Sequence, residues 1–255
     1  MMSSCPPEVP ARTPKKDVVI YAESNAFVES GYKTTMPHSF GEPLTKLRAV
    51  PIRENGEPLL DPRMLSKRIH FAATHPRFTD MPRTPVVRRH VAEMLAEAAH
   101  QLPLGIELRI IEGFRPLHQQ RFMYDSIRRD FAAKHPDWST ATLHRITNQM
   151  SAPPDDRCPP PHSTGGAVDL CPFSVRTGEN LDMTSPLEPD EASAPMAVRG
   201  LSERAAANRR LLADTLSAVG LTNYSGEWWH WSYGDSGWAL REGQPFALYD
   251  RLPEA

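Results

Sequence analysis

Proline is the strongest constraint on how this chain can fold. It occurs 26 times in 255 residues, about twice the usual share of ~5 %. Each proline fixes φ and removes a backbone N–H, so it is excluded from helix interiors and central strands. The prolines gather in segments that must be loops. Ser151 to Pro161 carries five in eleven residues. Pro43, Pro51, Pro58, Pro62 and Pro76 break the stretch from Pro37 to Asp80 into short strands and turns, with Asn55-Gly56 as a hairpin signal. Residues 1–16, polar and proline-rich, read as a loose tail, and Asp17–Ala22 as an isolated strand.

Between these breaks the hydrophobic spacing defines elements. Thr84-Pro85 reads as a helix start, with Val87, Val91, Leu95 and Ala98 following at helical spacing. Ile106–Ile110 alternates as a strand and ends at the corner Glu112-Gly113-Phe114-Arg115-Pro116. A helix is expected over Leu117–Ala133, with Met123, Ile127 and Phe131 inward and Arg128 and Arg129 outward, and another after Asp137. Ala167–Cys171 reads as a strand with Val168 and Leu170 toward the core and Asp169 on the other side. Ser174–Val198 forms a long acidic loop, Ser202 caps a helix reaching Val219, and Glu227–Tyr233 makes a last, aromatic strand. With no repeat and no composition break, residues 17–255 read as one α+β domain.

The bulk numbers exclude several classes. A net charge of −2 with no dense Lys/Arg block leaves no footprint for nucleic acid or an anionic membrane. No run of ~18 apolar residues exists to span a bilayer. The N-terminus lacks a secretory apolar core, and three cysteines (Cys5, Cys158 and Cys171) make no disulfide framework, so the cytoplasm is the expected compartment. Nothing in the sequence speaks to an oligomer.

Chemistry concentrates in two segments, His162-Ser163-Thr164-Gly165-Gly166-Ala167-Val168-Asp169 and Gly226-Glu227-Trp228-Trp229-His230-Trp231. Two imidazoles, a strand carboxylate and a spare glutamate are the parts of a catalytic zinc site with three protein ligands and an open position. His162, Asp169 and His230 are the candidate ligands. A carboxylate inside the strand around Asp169 needs a partner or a metal to be buried. Glu227 is the candidate base, but residues three apart on a straight strand face opposite ways, so Glu227 must turn back toward the face of His230. Arg115 either stabilises a developing oxyanion or pairs structurally with Glu112. Cys158 and Cys171 read as packing or loop residues, with a fourth ligand as the alternative.

The pattern His162-x-x-Gly165-x-Ala167-Val168-Asp169 with Glu227-Trp228-Trp229-His230 resembles the zinc D-alanyl-D-alanine dipeptidases of the vancomycin-resistance type, within the bacterial D,D-peptidase and hedgehog-like group. The Gly113-Phe114-Arg115-Pro116 corner, Asn208–Leu212 and Gly220-Leu221 extend the likeness over roughly Glu107 to Tyr233. The resemblance implies a small antiparallel sheet flanked by helices and one Zn²⁺ per chain held by His162, Asp169 and His230. It also implies Glu227 as general base, Arg115 at the transition state and a small D-dipeptide as substrate. The double tryptophan favours the dipeptidase branch over the carboxypeptidases, and Trp228 and Trp229 would wall a pocket for small side chains. Pro160 stands where the family has a serine for the substrate amine, and Glu188 where it has an aspartate. The alternatives are a D,D- or L,D-carboxypeptidase acting on peptidoglycan peptides, and a non-catalytic zinc module with Cys158 or Cys171 as fourth ligand.

Overall fold

The computed structural model describes residues 42–72, 81–189 and 192–253. The tail expected over 1–16 and the strand at Asp17–Ala22 lie outside them. In chain order the elements are α1 (Leu44–Leu47), β1 (Leu59–Leu60), β2 (Ile69–Phe71), β3 (Val87–Arg88) and α2 (Arg89–Gln101). β4 (Ile106–Glu112), α3 (Leu117–Lys134), α4 (Thr140–Met150) and β5 (Ala167–Ser174) follow. The chain ends with α5 (Glu203–Ala218), β6 (Thr222–Asn223), β7 (His230–Ser232) and α6 (Ser236–Arg241). The fold is α+β, as the sequence implies. Its main sheet has the order β2-β4-β5-β7-β6 and is antiparallel except at one edge, where β2 runs parallel to β4. β1 and β3 form a separate two-stranded ribbon.

The core lies between this sheet and helices α2 and α5. Val91, Leu95 and Ala98 of α2, Leu212 and Leu216 of α5, and Leu108, Ile110, Val168, Leu170 and Trp231 of the sheet are all buried in one cluster. β5 is flanked on both sides, and its first seven residues are buried without alternation. Removing this much apolar surface from water is the main force holding the sheet to the helices. Ser202 caps α5 by accepting from the Ala205 N–H, and Ser139 caps α4 by accepting from the Thr142 N–H.

Four expectations are corrected. α2 begins at Arg89, not after Thr84, because Val87-Arg88 pair with Leu60 and Leu59 as strand. The backbone just before is also engaged, Gly113 and Phe114 donating to the carbonyls of Thr84 and Val86. In α3, Tyr124 rather than Met123 or Phe131 accompanies Ile127 inward, since its hydroxyl reaches Asn148 of α4 at 2.6 Å. Asn55-Gly56 forms no hairpin: Gly56 is left-handed (φ 72°), but no strand flanks it. The last strand shrinks to His230–Ser232, and residues 225–229 form turns.

One irregularity matters for the site. β4 and β5 pair Ile110 with Leu170, then Glu112 with Asp169, so β4 carries one residue too many at this point. Such a bulge turns the following side chain to the opposite face. Glu112, which strict alternation would aim into the core beside Leu108 and Ile110, instead stands across from Asp169.

Candidate active site

His162 sits in a short 3₁₀ turn, Pro161–Thr164, closed by Gly165 in the left-handed region (φ 73°). A side chain at Gly166 would meet the Tyr233 carbonyl at 2.5 Å, so this glycine allows the turn to lie against the end of β7. The His162 Nδ1–H donates to the Gly113 carbonyl at 2.7 Å, and the Arg115 N–H donates back to the His162 carbonyl at 3.1 Å. Turn and corner therefore clasp each other. The register then places Asp169 of β5 directly opposite His230 of β7.

The structure brings the three predicted ligands together. His162 Nε2 lies 3.3 Å and His230 Nδ1 2.9 Å from Asp169 Oδ1, and the three donor atoms all fall within 4.8 Å of one another. All three residues are buried. With its Nδ1–H committed to Gly113, His162 turns Nε2 toward a carboxylate oxygen, and a contact that close requires a proton or a metal ion between the two atoms. Asp169 is held well below the usual carboxylate range: burial pushes it up, but the charges and hydrogen bonds of His162 and His230 outweigh burial. An anionic oxygen with two imidazoles fits Zn²⁺.

Glu227 converges on the same point through a turn. Its N–H donates to the Tyr224 carbonyl, and the Asn223 amide donates to the carbonyls of both Glu227 and His230. This folding back brings Glu227 Oε2 to 3.9 Å from His230 Nδ1. Burial and the Asp169 charge push the Glu227 carboxyl up to about 7, against the opposing pull of His230, Arg115 and a hydrogen bond from Trp229. Its side chain keeps 30 % exposure, whereas those of the ligands have 7–13 %. It is the open member of the group.

Arg115 is buried and takes the structural partner its sequence context allowed. Nε and Nη2 donate to the two Glu112 oxygens at 2.8 and 2.5 Å, and Nη1 donates to Gln120 at 2.7 Å. Two of its five N–H groups remain for another partner. Trp228 packs in the core, with its ring at 5.8 Å from the Arg209 guanidinium carbon, and Trp229 stands edge-on to it. Glu188 is exposed on the loop between β5 and α5. Neither cysteine joins the metal group: Cys158 and Cys171 are buried free thiols, each pushed up to about 12 chiefly by burial.

Sequence reasoning missed three contributors. Gln120, five residues past Arg115 and one turn into α3, orients the guanidinium. Asn223 makes the turn that aims Glu227, and its only signal was an amide just before Gly226. Arg83, between Pro82 and Pro85, carried no periodic signal, yet its buried guanidinium lies 3.4 Å from Glu112.

A mixed sheet presenting two histidines, an aspartate and a convergent glutamate defines a metallopeptidase-like site. The model of the D-Ala-D-Ala dipeptidase family, M15, matches residues 75–249, and the chain belongs to that family of peptidases. A D-alanyl-D-alanine dipeptidase of Synechocystis sp. is 28 % identical over 252 residues, covering 84 % of this chain and 99 % of the relative. One from Enterococcus faecium is 36 % identical over 74 residues, 29 % of this chain and 37 % of the relative. Among solved structures, the LD-carboxypeptidase LdcB aligns with a TM-score of 0.42 at 20 % identity, over 76 % of this chain and 77 % of that one. The D,D-dipeptidase VanXYg, bound to a D-Ala-D-Ala phosphinate analogue, aligns at 0.37 and 20 % identity, over 76 % and 64 %.

Proposed function

We propose that this peptidase hydrolyses a small D-amino-acid dipeptide, D-Ala-D-Ala first among them, with one Zn²⁺ held by His162, Asp169 and His230 and with Glu227 as general base. The observation that carries this reading is the partly exposed Glu227 carboxylate folded back to within 3.9 Å of a buried candidate ligand, His230. A structural metal site needs no such neighbour.

Zinc bound there would polarise the scissile carbonyl and acidify water toward a pKa of ~7. Glu227, raised close to neutrality, takes a proton from the attacking water and delivers it to the leaving amine. Arg115, with two N–H groups unspent, faces the oxyanion. Glu188 meets the substrate ammonium, and Trp229, backed by the core residue Trp228, limits the pocket to small side chains. The buried free thiols suit a reducing compartment, the cytoplasm.

The test is metal content together with hydrolysis of D- and L-dipeptides and of an N-blocked peptide. One zinc per chain and turnover of free D-dipeptides alone support the reading. Turnover of the blocked peptide would make the protein a carboxypeptidase, and zinc without turnover a binding module.

A further inference from the structure

Among the described residues, three buried side-chain polar atoms lack a hydrogen-bond partner: Arg83 Nη1, Trp228 Nε1 and Asp235 Oδ2. Only the first belongs to a cation. The Arg83 side chain is 7 % exposed, and its one ion pair among the described residues is the 3.4 Å contact of Nη2 with Glu112 Oε2. That oxygen is already bound at 2.5 Å by Arg115. Two guanidiniums thus share one carboxylate, leaving one positive charge unmatched. Leaving a buried charge short of partners is costly, and an orphaned donor in a native interior calls for an explanation.

Position supplies one. Gly113 and Phe114 bond to the carbonyls of Thr84 and Val86, which stitches the extended segment just after Arg83 to the corner bearing Arg115. Glu112, 3.4 Å from Arg83, stands opposite Asp169 in the β4–β5 ladder, so Arg83 lies next to the candidate metal group on its Asp169 side. In a dipeptide the terminal carboxylate is three bonds from the scissile carbonyl carbon, ~4 Å through space. Any site that holds that carbonyl at the metal must meet the carboxylate close by. A planar guanidinium with free N–H groups matches a carboxylate's two oxygens.

We propose that Arg83 binds the C-terminal carboxylate of the substrate and so makes the site select peptides that end there. The assignment rests on reading the site as a dipeptide hydrolase. It is tested with Arg83→Gln and Arg83→Lys in zinc-loaded protein, using D-Ala-D-Ala and its C-terminal amide as substrates. Arg83→Gln should raise KM for the free acid at least tenfold, with kcat changed far less and the amide's kinetics barely moved. Arg83→Lys should recover part of the loss. Calorimetric titration with D-alanine and D-alaninamide gives a second readout that needs no turnover. The wild type should prefer the acid, and Arg83→Gln should lose that preference while keeping its zinc. Equal effects on acid and amide, or no change in either readout, would leave Arg83 as a structural partner of Glu112 and overturn the proposal. If wild type cleaves neither substrate, the hydrolase reading fails, and the D-alanine titration still decides Arg83 by itself.

Discussion

Glu112 stands directly across the β4–β5 ladder from Asp169. Like charges opposite each other destabilise a sheet, so this pair persists only because each acid has its own cations. Asp169 is held by two imidazoles, and Glu112 by Arg115 and Arg83. The bulge in β4 is thus the point from which the whole charge arrangement of the site is built.

Removing Glu112 should therefore be severe. Glu112→Ala leaves two buried guanidiniums facing each other, and breaking such a pair costs about 3–5 kcal/mol. Chemical denaturation should show a loss of that order; a loss below about 1 kcal/mol would mean that the guanidiniums find other partners.

Acid should act through the same residue. Burial works to raise the Glu112 carboxyl, but the Arg115 bonds, helped by His162 and Arg83, hold it below its ordinary value. Its stabilisation is complete above the unfolded pKa of about 4.3 and is lost as pH falls through the lower folded value. Stability should accordingly decline below about pH 4, with a shallower decline in Glu112→Gln. Equal slopes in the two proteins would assign the acid sensitivity to other carboxylates.

Glu227→Ala should retain zinc by elemental analysis while kcat falls by ~10²–10⁴-fold, the usual worth of a positioned base. A variant that kept turnover would need another base; among the described residues, the other carboxylate paired with His230 is that of the candidate ligand Asp169.

Gly113 is constrained by the segment it lies against. A Cβ there would sit 2.4 Å from the Val86 carbonyl oxygen, and its own carbonyl orients His162. Gly113→Ala should cost roughly 1–3 kcal/mol in stability and about 10–100-fold in zinc affinity. Thermal unfolding and competitive chelation read the two effects separately.

Arg209 holds the loop between β5 and α5. Buried, and with no carboxylate partner among the described residues, it donates to the carbonyls of Met183, Ser193, Pro195 and Met196, and burial lowers it to about 10. Arg209→Met should loosen residues 183–196, seen as faster limited proteolysis there, and raise KM more than it lowers kcat. Lysine should fail to rescue, because a compact ammonium cannot span the same fork of acceptors.

The cluster of His162, Asp169 and His230 was legible in the sequence because few residue types bind zinc and their glycine and aromatic contexts set them apart. Strand alternation even exposed the difficulty at Glu227, which the Asn223-anchored turn resolves. Alternation failed at Glu112, since a bulge leaves no mark in composition and reverses every facing prediction beyond it. The start of α2 was misplaced for a related reason. Val87 and Arg88 suit a helix, but Leu59 and Leu60, distant in sequence, recruit them into a ribbon. Arg83 was invisible because its significance lies in what surrounds it.

Two of the three candidate ligands sit on adjacent strands and the third on a turn leading into one of them, whereas the long loop after β5 is tied to α5 through Asn208 and Arg209. The candidate metal group and this loop are thereby carried on separate stretches of backbone. A change of sequence in the loop can reshape it without moving the paired strands that set Asp169 opposite His230.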